Sequence, residues 1–172
     1  MTATSEHWRD DIVALLPRLR RFSFALTGSA ADADDLLQTT VEKALSKYDQ
    51  FKQGTDLDKW MFRMCKNTWI DEWRSRRVRG PVVDPMDFTS EIGIDGEQMI
   101  MDKITVSEVS TAMNRLQDEQ KMILGLIVIE GYSYRETSEF LDIPIGTVMS
   151  RLARARKALE DQLHAPEIQQ GA

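Results

Sequence analysis

Between Lys59 and Arg77 the chain sets out a row of cations beside two tryptophans. At about 100° per residue, Lys59, Arg63, Lys66, Arg74 and Arg77 fall within one narrow arc of a helix, interrupted only by Ile70 and bordered by Trp69 and Trp73. Cations track phosphates, and an aromatic face receives an unstacked base for about 1–3 kcal/mol. The chemistry on offer is therefore the binding of a single nucleic-acid strand. The same residues also fit a plainer arrangement in which the tryptophans are core and the arginines are solvated. A second constellation lies near the C-terminus. Val148, Leu152, Ala155 and Leu159 recur at i, i+4, i+7 and i+11 and form a core-facing stripe, while Thr147, Ser150, Arg154 and Lys157 occupy the opposite face, flanked by Arg151 and Arg156. Short hydroxyls beside base edges and guanidinium groups on phosphates suit a DNA groove. Covalent chemistry finds no comparable set. There is no Gly-rich phosphate loop and no Ser/His/Asp group, and His7, His164 and a lone Cys65 cannot assemble a metal site. The expectation is a binding protein with no enzymatic activity, no cofactor and no metal.

The elements that must position these residues are helical. Ser133 and Glu136 form a capping box that starts a helix near Tyr134. Thr137, Phe140 and Leu141 are its buried side, and Asp142-Ile143-Pro144 stops it, because a residue before proline is pushed out of the α region. Pro144 stands at or just before the first position of the next helix, where a missing N–H costs nothing. Two helices joined this tightly, the second basic on its outer face, are a helix-turn-helix. Upstream, Trp8, Ile12, Leu15, Leu16, Leu19, Phe22 and Leu26 keep a helical period that Pro17 should kink and Gly28 should close. Ser29 with Asp32 opens a second helix, with an apolar side at Ala33, Leu36, Leu37, Thr40, Val41, Ala44 and Tyr48 and an acidic, polar face at Asp34, Asp35, Gln38 and Glu42. That face is either solvated or the seat of a basic protein partner. A polar loop, DQFKQGTD, leads to the cationic helix, whose cap is Asp56 or Asp58 and whose buried side is Met61, Phe62 and Cys65. From Gly80 to about Lys103 prolines, glycines and acidic residues predict a linker. Thr105 with Glu108 predicts another capping box. The apolar run MILGLIVI, Met122–Ile129, predicts the central helix of a small bundle, ended by Gly131.

A chain of 172 residues, 42% hydrophobic, can bury two modest cores. The fold class expected is all-α: two small helical domains joined by an acidic linker, the C-terminal one containing the helix-turn-helix, with bounds of 8–80, 81–103 and 104–164. No apolar run approaches the ~20 residues of a membrane span, and MTATSEHWRDD has no export pattern. The expected location is the cytoplasm, without membrane insertion. The net charge of −6 speaks against nucleic acid only as an average, since the cations are segregated into the two constellations.

Two blocks of the chain resemble bacterial sigma factors of the extracytoplasmic-function group, the initiation subunits of RNA polymerase. ALTGSAADADDLLQTTVEKAL with FKQGTDLDKWMFRMCKNTWIDEWRSRR, Ala25 to Arg77, is similar to the family's second conserved region, and LQDEQKMILGLIVIEGYSYRETSEFLDIPIGTVMSRLARARKAL, Leu116 to Leu159, to its fourth. The FKQGT loop and LPRLRRF also resemble the subgroup that governs the general stress response of alphaproteobacteria. The resemblance implies that the face at Asp34, Asp35 and Gln38, with Leu36, Val41 and Glu42, docks on the clamp coiled coil of core RNA polymerase. It implies that Phe51, Lys52 and the cationic helix, including Lys59, Arg63, Lys66, Trp69, Trp73, Arg74 and Arg77, open the −10 element and hold a flipped base. It implies that Thr147, Met149, Ser150, Arg151, Arg154 and Lys157 meet the −35 element of promoter DNA. An anti-sigma factor is a further implied partner, and the free protein is expected to be a monomer. Thr39 stands where the family usually has Glu, and Met149 where it usually has Lys or Arg. The competing reading is a stand-alone helix-turn-helix repressor or activator, which would dimerise on a palindrome.

Overall fold

The computed structural model describes residues 3–52, 54–78 and 106–164, and every regular element among them is helical. No helix among the described residues is long and apolar enough to cross a membrane. The chain divides into two compact units, residues 1–87 and 88–172.

The first unit is built from α1 (Ala3–Thr27), α2 (Ala30–Ser46) and α3 (Leu57–Val78), each packed against the other two. α1 runs through Pro17 without a break. Pro17 and Val13 are both exposed, so the helical hydrogen bond that proline forgoes lies on the solvent side of α1 rather than in the core. Gly28 closes the helix at φ +72°, donating to the Phe24 carbonyl at 2.7 Å. The Ser29 hydroxyl then caps α2 by accepting from the Asp32 N–H. Leu19, Phe22 and Leu26 meet Leu36 and Ala44 of α2 and Met61, Phe62 and Cys65 of α3 in a core from which water is excluded. Phe22 and Phe62 pack edge to face at 5.2 Å, and the Arg18 guanidinium lies 5.3 Å from the centre of the Phe62 ring. Tyr48 lies beyond the end of α2, in a 3₁₀ turn at Tyr48–Gln50, yet still packs inward, its ring 4.5 Å from that of Trp8.

The second unit comprises α4 (Val106–Asn114), α5 (Asp118–Leu124), a π-helical turn (Gly125–Ile129), α6 (Tyr134–Leu141) and α7 (Ile145–His164). Its core is Leu116, Ile123, Leu124, Leu152 and Ala155, with Met113, Ile127, Leu141, Ala158 and Leu159 around them. MILGLIVI is only partly the buried central helix its composition suggests. Met122 to Leu126 are buried, but Val128 is 61% exposed and Ile129 39%. A helix apolar on all sides needs neighbours on all sides, and here the cover ends at the π turn, where Glu130 donates to the Gly125 carbonyl at 3.0 Å and Gly131 reverses the chain at φ +72°. The proposed linker at residues 81–103 and the Thr105 capping residue lie outside the described residues.

Candidate nucleic-acid interface

The helix-turn-helix is held by a sequence of local bonds. Ser133 Oγ accepts from the Glu136 N–H at 3.1 Å while Glu136 Oε2 accepts from the Ser133 N–H at 2.9 Å, closing the expected box. At the other end of α6, Asp142 adopts the left-handed conformation at φ 55°, and Ser138 Oγ donates to the Ile143 carbonyl at 2.6 Å. The Pro144 carbonyl accepts from the Thr147 and Val148 N–H groups and so begins α7. Ser138 escaped the sequence reading, since a serine inside a helix carries no signal for the turn that follows it. Val148, Leu152 and Ala155 are buried, with the half-buried Leu159 beside them. That orientation turns Ser150, Arg154, Arg156 and Lys157 outward, leaves Thr147 half-buried and leaves Met149 52% exposed. The outward groups are partly self-paired. Arg154 folds back so that Nε donates to the Ser150 carbonyl at 3.3 Å and Nη2 to Ser150 Oγ at 3.5 Å, and Ser150 Oγ donates to the Thr147 carbonyl. Arg151 does not stand with them. It leans toward α5 and pairs with Glu119 at 3.4 Å.

On α3 the sequence reading of Trp69 as a surface stacking residue is corrected: it is 4% exposed and belongs to the core. Both α1 and α2 cover α3, so its buried arc is wide enough to take in a residue that borders the cations. Lys59 and Arg63 are exposed and Lys66 half-buried, and Lys59 also pairs with Asp56 at 3.2 Å. The side chains of Trp73, Arg74 and Arg77 lie outside the described residues. Among the described residues Trp60, which the sequence reading passed over, stands at a surface cleft. Its ring lies 5.2 Å from that of Phe51. With Lys43, Lys47, Arg63, Asn67 and Asp71 it lines a cleft of about 280 Å³. Lys43 is held there by a hydrogen bond to Thr68 Oγ1 at 3.2 Å and by Glu72 at 3.9 Å. The one available hint was Trp60 following Lys59 at the loop end of the arc. Lys52, in the loop itself, is exposed.

On α2, Asp34, Asp35, Gln38 and Glu42 are exposed. Arg20 of α1 grips Asp34 through Nε at 2.7 Å and Nη2 at 3.3 Å, and these hydrogen bonds hold the Asp34 carboxyl below its usual range. Gln38 Nε2 donates to Glu42 Oε1 at 3.0 Å. Leu36 is corrected as a contact residue: at 4% exposure it is core, while Val41 is half-buried at the margin of the face.

Comparison with known proteins matches residues 12–66 to the Sigma2 domain of PhyR and residues 107–159 to Sigma-70, region 4. The chain is 32% identical to the ECF RNA polymerase sigma factor EcfG of Rhodopseudomonas palustris, over 91% of this chain and 84% of that one. It is 30% identical to the ECF RNA polymerase sigma factor SigE of Mycolicibacterium smegmatis, over 99% and 67% respectively. Its fold is similar to that of the sigma factor RpoE in complex with the anti-sigma factor NepR from Bartonella quintana, with a TM-score of 0.73, 28% identity, and coverage of 94% of this chain and 99% of that one.

Proposed function

The chain belongs to the extracytoplasmic-function sigma factors of bacterial RNA polymerase, and we propose that its two units divide that family's work, residues 8–80 engaging core polymerase and the −10 element and residues 104–164 engaging the −35 element. The protein directs promoter-specific initiation of transcription. It is a transcription regulator rather than a self-standing repressor, because two sigma-type domains follow one another in the family's order.

The observation that supports the division is a helix-turn-helix with an exposed cationic face on one unit together with a cationic, aromatic-walled cleft on the other. On α7, Ser150, Arg154 and Lys157 face the major groove of the −35 element, with Thr147 and Met149 at the margins. Arg154 exchanges its bonds to Ser150 for a phosphate on binding. Arg151 reaches the backbone only by leaving Glu119. On the first unit, Lys52, Lys59, Arg63 and Lys66 draw the nontemplate strand along α3. A base leaving the stack has Trp60, propped by Phe51, as its aromatic platform, while Lys43 and Lys47 neutralise adjoining phosphates. Asp35, Gln38 and Glu42 form the face for the polymerase clamp. An anti-sigma factor is the further partner, as for the RpoE structure that this fold resembles. The alphaproteobacterial general-stress-response subgroup is the place within the family that we assign, and the bacterial cytoplasm is where the protein works.

Reconstitution with core RNA polymerase and a promoter library tests this reading. Specific run-off transcripts should depend on the protein, and Arg154→Ala should weaken promoter binding on all sequences and lower the log–log salt slope by about one unit, as loss of one phosphate contact does. Absence of protein-dependent transcripts, or DNA binding as a dimer without polymerase, would sink it.

A further inference from the structure

We propose that Ile145 and Met149 read thymine methyl groups in the −35 duplex, and that Gly146 between them lets the backbone of α7 come close to the base pairs. The inference rests on α7 being the −35 helix and adds the base chemistry that it reads. Ile145 is 44% exposed and Met149 52%. They are i and i+4, so their Cβ atoms are neighbours at about 5–6 Å, and they stand on the first two turns of α7, the end from which a recognition helix meets base edges. The thymine C5-methyl is the apolar mark on the major-groove edge of the bases. An exposed aliphatic and a thioether side chain offer it contact without a hydrogen bond to satisfy. Duplex DNA, rather than a second protein surface, is the occupant because Arg154, Arg156 and Lys157 continue along the same helix in the open.

Gly146 supplies an independent argument. A Cβ added there meets nothing within 4 Å, and its φ is not in the left-handed range. The fold of the chain itself thus makes no demand for glycine at a helical position where alanine is the better former. On an ideal helix Gly146 lies far from the stripe of Val148, Leu152 and Ala155, on the outward side. A surface that presses on α7 from outside does make that demand.

The test uses the full chain bound to core RNA polymerase, and −35 duplexes that this holoenzyme selects from a random library. Each thymine of the selected element is replaced in turn by deoxyuridine, which removes only the methyl group. Loss of one buried methyl should weaken binding about fourfold at one or two positions, and Ile145→Ala or Met149→Ala should make the holoenzyme indifferent to that same replacement. Gly146→Ala should raise the melting temperature of the free protein while weakening promoter binding. Equal affinity for every uracil duplex, sensitivity that persists in both variants, or a selected element without any A·T pair overturns the methyl reading, and Gly146→Ala with unchanged promoter binding overturns the role of the glycine. Arg154→Ala measured on the same duplexes separates the two levels. If it weakens binding while uracil does not, the −35 assignment stands and this inference alone has failed.

Discussion

Single residues on α3 divide between core and surface by where neighbouring helices stop. Trp69 is buried and its indole Nε1 finds no hydrogen-bond partner among the described residues, so its contribution is apolar burial. Trp69→Ala should cost about 3–5 kcal/mol of stability, whereas Trp60→Ala should change unfolding by about 1 kcal/mol or less and slow open-complex formation. Denaturant melts and permanganate footprinting of the two variants check this, and the reverse pattern would return Trp69 to the strand-binding role. Cys65, beside Ser23 at 3.5 Å, is pushed up to about 11 from 9.0 because burial disfavours the thiolate. Its raised folded value means that the unfolded chain ionises first, so the stability held by the neutral thiol is present below pH 9 and lost as the pH rises toward 11. At pH 8 a thiol reagent should not label the native protein and should label it stoichiometrically after denaturation; rapid native labelling would contradict the closed core.

At the scale of elements, α1 and α6 show opposite ways of ending or not ending a helix. Pro17 sits in the interior of α1 with its side exposed, and substitution by alanine restores one N–H to the ladder without touching the core. Pro17→Ala should therefore raise the melting temperature, with up to about 3 kcal/mol available from helix propensity, less the entropy that proline removes from the unfolded chain. A lower melting temperature would mean that the proline itself is needed for packing. In α6 the reciprocal Ser133 and Glu136 bonds set the first turn, and Ser133→Ala should cost about 1 kcal/mol and loosen α7 with it. Protection of α7 amides from hydrogen exchange is the readout, and unchanged protection would show that packing alone orients α7. Between α1 and α2 the Arg20 pair lowers the Asp34 pKa. Its small stabilisation is present above the ordinary carboxylate range and disappears as the pH falls through the depressed value.

For the whole molecule, each unit assembles a core from its own helices: Phe22, Leu26 and Phe62 in the first, Ile123, Leu124 and Leu152 in the second. Fragments ending before and beginning after the acidic stretch should therefore fold separately. The second, of about 60 residues, should be the weaker, since a chain of that size buries a smaller share of its surface. Circular dichroism of both fragments against the full chain is the measurement, and an unfolded fragment would show that the units depend on each other. Analytical ultracentrifugation of the intact free protein should give a monomer.

The amino-acid sequence determined the Ser29 and Ser133 caps, the Gly28 and Gly131 reversals, the helix-turn-helix and the outward placement of Ser150, Arg154 and Lys157 on α7, because each depends on residues within about four positions of one another. Ser133 reaches Glu136, Pro144 reaches Val148, and the stripe from Val148 to Ala155 repeats on one helix. Only the tertiary structure decided how wide each buried arc is. Trp69 and Leu36 went inside because second and third helices cover them; Val128 and Ile129 stayed outside because no helix among the described residues does. Periodicity gives the direction of a core-facing stripe and not its width, and width is set by partners distant in sequence. The same limit hid Trp60 and its cleft, whose walls come from α2 and α3 and meet only when those two helices pack.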